Sequence, residues 1–406
     1  MTTTEQSYDL HPQLADNLKK YQHRSAFVGL IFLVLTVAGI FLPGGGMQQF
    51  LRAYLVGFWF WMGTGVGCMV LLMTQYVSGG AWGIVIRRPL EAGSRTLYLF
   101  WLLFLPLLLS TILGGNLYKW VSMQNEPVIQ AKHLYLNVPF LWIRWLIYGV
   151  VWLGCTRFLN KWSVLEDQTK STRYSILLEK LSGPGIVFFF FTMTFCSIDY
   201  LMTLEPRWFS TVYGFMIVMG QCLSAMAIVV AFLAVAVRFA PMDHAVTKRH
   251  LLDLGKLLLT LVMLWAYMNF AQLLITWSGN LPEEIVWYIK RWNGGWGWVG
   301  LILLIGHFCL PFLLLLSQDL KKNPKTIFWI AIYLIVVHVV DVYALVEPNF
   351  QSPEHVHFFI SWMDITSPIG FGGLWLAMFF YFLPQRPLLP VGAPDLLKAL
   401  NHGRSH

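Results

Sequence analysis

Two stretches of this sequence repeat one pattern of acids. Residues 198–210 read IDYLMTLEPRWFS and residues 340–352 read VDVYALVEPNFQS. Both contain D-x5-E-P, with an aromatic shortly after the Asp and a Ser four residues after the Pro. The pairs are Asp199 with Glu205-Pro206 and Asp341 with Glu347-Pro348. His338 stands three residues before Asp341, so the two share a helix face. A carboxylate and an imidazole together can accept protons, because burial and hydrogen bonding move their pKa values. Such a pair can take the protons that a quinol head group releases when oxidised. It can instead form part of a proton path, or simply pair with neighbouring helices. The residues alone leave all three open.

More candidates lie in apolar surroundings. Gln272 and Asp364 fall at a depth similar to Asp199 and Asp341. Glu205, Glu347, Asn116, Asn280, Glu283 and Glu284 gather beyond the same helix ends. His307 is mid-span and suits a proton relay or a haem ligand. A b-type haem usually needs two axial histidines at matching depth, and His338 lies nearer one end. Lys256 and Arg144 are the cations inside predicted spans. Lys256 is expected to snorkel towards water, and Arg144 to snorkel or pair with an acid. Asp199 and Glu205 are not expected to share a face, since six helical steps turn the chain by about 240° and Pro206 ends the helix.

The elements that must position these groups are transmembrane helices. Hydrophobic residues make up 57% of the 406 and charged residues 12%, with a mean hydropathy of +0.60. A soluble domain carries about twice that charge. Apolar runs long enough to cross a bilayer occur near 26–42, 50–77, 96–115, 138–159, 184–203, 211–237, 251–277, 296–317, 325–346 and 357–383. The expected fold is all-α, with these spans numbered one to ten.

Arg52, Lys119, Lys132, Arg207, Lys290 and Arg291 fall in one set of connections. Apart from Arg144 and Lys256, the rest of the 28 basic residues lie at the termini and in the other set. That asymmetry predicts both termini in the cytoplasm. It also accounts for the net charge of +8 without a nucleic-acid partner. Trp120, Trp208, Trp287, Trp292, Trp296 and Trp298 sit near the outer span ends, as an interfacial belt would. Residues 283–292 (EEIVWYIKRW) read as a short amphipathic helix on that surface. No cleavable signal peptide is expected, because the first 25 residues are polar.

Repetition organises the spans. Besides the acid motif, Gly115-Asn116-Leu117 ends span three and Gly279-Asn280-Leu281 ends span seven. Spans 2–5 and 6–9 then read as two parallel copies of a four-helix bundle, flanked by spans 1 and 10. The corresponding segments are 1–25, 26–45, 46–210, 211–352, 353–385 and 386–406, the first and last being cytoplasmic. Gly63-Thr64-Gly65-Val66-Gly67 resembles a nucleotide loop, but no strand precedes it. Gly63 and Gly67 are spaced for close helix packing instead. The five cysteines all lie in apolar runs without C-x-x-C spacing, so none is expected to hold a metal or covalent haem.

With these motifs in view, a family resemblance emerges. Residues 79–92 (GGAWGIVIRRPLEA) look like the signature after the second span of NrfD/PsrC-type membrane subunits. Residues 265–284 (WAYMNFAQLLITWSGNLPEE) resemble a signature of relatives in bacterial alternative complex III, a quinol:electron-acceptor oxidoreductase. The likeness runs over about residues 20–390, and the length is similar to the smaller such subunit. It implies a bacterial inner-membrane protein whose partners are a larger NrfD-like paralogue, a periplasmic iron–sulfur subunit and haem c subunits. It implies iron–sulfur clusters and haem c on those subunits, none held covalently here, and quinone or menaquinone as the diffusible cofactor. Asp199, Glu205, His338 and Asp341 would be the outer proton group, of which the Asp and Glu positions carry over by motif. His307, His338, Asp364, Gln272 and Lys256 rest on burial and charge. A secondary transporter is the alternative reading.

Overall fold

The computed structural model describes residues 10–43, 45–114, 117–352 and 354–403. Among them the chain is helical, without strands, and ten helices are long and apolar enough to cross a membrane. We number them α1 Pro12–Ala38, α2 Met47–Ser78, α3 Arg87–Leu109, α4 Val138–Thr169, α5 Thr172–Tyr200, α6 Tyr213–Ala236, α7 Lys248–Gly279, α8 Trp296–Leu316, α9 Pro324–Val346 and α10 Trp362–Phe382. A backbone in lipid must satisfy its own N–H and C=O groups, which long helices do.

Both ends of the described chain meet the α6–α7 connection. His11 packs on Phe239, and Thr247 Oγ1 donates to His402 O at 2.9 Å. We call this the terminal face and its opposite the far face. The tail after α10 is not free. Leu388 and Leu389 are fully buried, and Gly392 N donates to Asp167 at 3.0 Å.

Several boundaries differ from the sequence reading. α1 starts at Pro12 rather than 26, because Pro suits a first helical turn and the His11 side chain accepts from Gln13 N. Polarity there marks where the helix leaves the lipid, not where it begins. The stretch expected as a connection up to residue 95 is helical and buried from Arg87. α3 itself consists of three short helices, Arg87–Arg95, Leu97–Leu102 and Leu105–Leu109. Its joints keep right-handed helical angles, so the span is tightened rather than unwound.

α2 and α6 form the centre. α2 is buried along its whole apolar stretch, and α6 nearly so. A Cβ on Gly67 would stand 2.2 Å from Gln221 O, and one on Gly63 would stand 2.8 Å from the Gln221 side chain. The glycines at 63 and 67 therefore let the two backbones meet. On another side of α2, Gly57 faces Ser367 and Pro368 of α10 just as closely. α1 lies along α10, where Gly29 and Gly373 leave no space for a side chain. Around the centre, α3, α4 and α5 close a ring with α2, while α7, α8 and α9 close a ring with α6.

The tryptophans depart from the expected belt. Of the six expected there, Trp120, Trp208, Trp287 and Trp296 are buried, while Trp292 and Trp298 stand well exposed. Trp208 and Trp287 stack with ring centres 4.8 Å apart, tying the surface helix Pro282–Trp292 onto the loop after α5. These large rings fill loop contacts rather than mark the lipid boundary.

Candidate functional site

The two copies of the acid motif have different surroundings. Asp199, near the far end of α5, is held by Arg144 of α4. Arg144 Nε and Nη2 each donate to a separate Asp199 oxygen at 2.9 Å. Tyr148 OH donates to the same carboxylate at 2.6 Å. Tyr135 and Phe140 cover the guanidinium with their rings. This is a bidentate, desolvated ion pair with its charge neutralised. The lipid-buried cation has found an acid rather than snorkelled.

Asp341 of α9 has no lysine or arginine partner among the described residues. Its Oδ2 accepts from Trp265 Nε1 of α7 at 2.9 Å. His338 Nδ1 lies 3.2 Å from the same oxygen. His338 in turn stacks on His307 of α8, ring centres 5.4 Å apart and planes 15° apart. Trp265 meets His307 edge-on at 3.9 Å. Helix tilt thus joins two histidines that sequence depth kept apart.

Polar atoms around this group lack partners. His307 is fully buried, and neither ring nitrogen has a hydrogen bond. Gln221 of α6 is buried with both amide atoms unpaired. Buried groups of this kind cost about 1–3 kcal/mol each unless water reaches them. A small cavity touches Gln221, Trp265, Asn269, His338 and Asp341, with about 10 Å³ of space for a water centre. That is room for about one water. His307 sits in a π-helical turn, Leu303–Cys309, which shifts the ring out of regular register. His338 fits because Gly220 faces it, where a Cβ would come within 2.4 Å of the ring.

The remaining candidates lie elsewhere. Glu205 pairs with Lys290 of the surface helix, and Glu347 with Arg52 of α2 at 3.9 Å. Lys119 Nζ donates to Asn349 O at 2.8 Å, and Lys132 Nζ to Pro206 O at 3.0 Å. Burial lowers the Lys119 pKa, and the neighbouring Lys290 charge lowers it further. Asp364 is a helix cap: its carboxylate accepts from Ser361 N at 2.9 Å and from Gln49 Nε2 at 3.1 Å. Gln272 bonds Ser210 and Thr276, away from Asp341. Lys256 is half-exposed beside Asp253 near the terminal face, which fits snorkelling. Asn280 caps α7 with a left-handed backbone, and Glu283 and Glu284 open the surface helix. Asn116 lies outside the described residues.

A second buried network was not anticipated. Arg88 meets Glu91 at 2.7 Å and also Asp167, and Arg87 meets Glu166 at 2.9 Å. Arg386 from the tail reaches Glu91 at 2.7 Å and Asn160 at 3.1 Å. Ser163 and Ser175 donate to Glu91 and Glu166. Three arginines thus balance three carboxylates, making the RRPLEA run a clamp rather than a loop. Its legible signal was a set of charges flanking an apolar span. Gln221, a lone amide amid apolar α6, is a similar signal.

Compared with known proteins, the chain matches no protein-family model and no curated protein sequence.

Proposed function

We propose that this chain is a proton-conducting membrane subunit of a quinol-oxidising respiratory complex. The observation that carries the proton role is Asp341 with His338, Trp265 and Gln221 around a water-sized cavity, with His307 packed against the His338 and Trp265 rings. A proton carrier needs titratable groups, water between them and no fixed counter-charge. Asp341 meets these conditions. Asp199, locked by Arg144, does not.

The quinol-oxidoreductase setting rests on the resemblance of residues 79–92 and 265–284 to NrfD/PsrC-type subunits. In that setting the protein sits in a bacterial inner membrane with both termini cytoplasmic. Its partners are a larger NrfD-like paralogue, an outer iron–sulfur subunit and haem c subunits. Spans 2–5 and 6–9 are two parallel four-helix copies, a reading supported by their ring-like neighbours and by the doubled acid motif. The acids nearest the far face are paired with Lys290, Arg52 and Gln49, which argues against a quinol site among them.

The test is the Asp341→Asn variant in the purified, vesicle-reconstituted complex. Proton output per electron should fall while subunit content stays unchanged. An unaltered proton yield overturns the proton role. Purification of the native chain alone, without iron–sulfur or haem subunits, overturns the setting.

A further inference from the structure

A groove of about 760 Å³ runs along the outside of the bundle, between α1 and α10 on one side and α8 and α9 on the other. Its walls are apolar, with Val336, Ile360, Ile365 and Ile369 all at least 40% exposed. It extends along α10 from Asp364 to Leu376. At 1.5 Å per residue that is about 18 Å, slightly more than half of a hydrocarbon core about 30 Å thick.

The polar groups at its two ends differ. At the far end they are already used within the protein. Asp364 accepts from Gln49 and Ser361, Tyr343 OH donates to Phe359 O, and Trp61 Nε1 donates to Pro368 O at 2.7 Å. Among the described residues, the side-chain donors lining that end are already taken. At the terminal end stands Arg24, with no hydrogen bond or ion pair among the described residues. Lys20 lies one turn earlier on the same helix face. A free cation at one mouth and an apolar trough behind it suit an amphiphile with a negative head and a hydrocarbon chain.

We propose that this groove binds an anionic phospholipid of the terminal-face leaflet. Its phosphate meets Arg24 and Lys20, and one acyl chain lies along α10 towards Asp364. The site is separate from the Asp341 cluster, so lipid retention and proton transfer are independent readouts.

The experiment is native mass spectrometry of the full chain, delipidated and then incubated with phosphatidylglycerol or phosphatidylcholine. The native chain should retain phosphatidylglycerol preferentially. Arg24→Gln, a substitution at an exposed position, should lower that retention about fivefold, the worth of one basic contact at a membrane surface. Val336→Trp should fill the groove and abolish retention of both lipids. A melting curve of each variant confirms the fold. Equal retention of the two lipids by the native chain overturns the proposal, as does native-level phosphatidylglycerol retention in Arg24→Gln. A quinone carried from the membrane, displaced by Val336→Trp and indifferent to Arg24→Gln, also overturns it.

Discussion

Arg144 grips Asp199 through two hydrogen bonds of 2.9 Å across the α4–α5 contact, while the matching acid, Asp341, faces a tryptophan and a histidine instead. One motif therefore serves two purposes. The first copy is a strut, and the second keeps a carboxylate free of any fixed positive charge.

The strut predicts an asymmetry between single and paired substitutions. Asp199→Asn strands a buried guanidinium and should cost about 3–5 kcal/mol, seen as a lower thermal transition in detergent. Arg144→Met combined with Asp199→Leu should recover most of that loss. A double variant as unstable as the single one would show that the charges themselves are needed.

Gly220→Ala should act as a local block. The added methyl would stand 2.4 Å from His338 Cε1, so the ring must move off Asp341. Proton transfer should fall with assembly intact. Gly67→Ala meets backbone at 2.2 Å and should instead disrupt the α2–α6 contact, lowering yield of folded protein. Equal effects of the two on yield would contradict this division.

The far face should come apart in an exchanged manner. Glu205 precedes α6 but pairs with Lys290 beyond α7, and Glu347 follows α9 but pairs with Arg52 at the start of α2. Lys290→Met leaves Glu205 mostly buried and unpaired. It should loosen the helix Pro282–Trp292, read as faster proteolysis there. Arg207, whose pair with Glu126 is exposed, should give no measurable change on substitution.

The clamp near the terminal face holds the C-terminal tail. Glu91→Gln leaves Arg88 and Arg386 short of one carboxylate and should cost about 3 kcal/mol. Residues 386–403 should then be trimmed by protease under conditions where the native chain resists. Resistance equal to the native chain would assign the tail's docking to Leu388 and Leu389 alone.

The sequence by itself determined the ten spans, because a run of apolar residues in lipid has little choice but a helix. It also determined which residues share a face within one helix, as with His338 and Asp341 or Gly63 and Gly67, since the helical period alone decides that. Tertiary structure alone decided which acids are neutralised. Arg144 and Asp199 stand 55 positions apart, and Trp265 and Asp341 stand 76 apart. Arg386 reaches Glu91 across 295. Such contacts depend on how each helix is rotated and tilted against its neighbours. Hydropathy reports only depth, so it placed His307 and His338 at different levels although packing stacks them. The same limit hid the clamp, whose charges appear solvent-facing until folding turns them inward against one another.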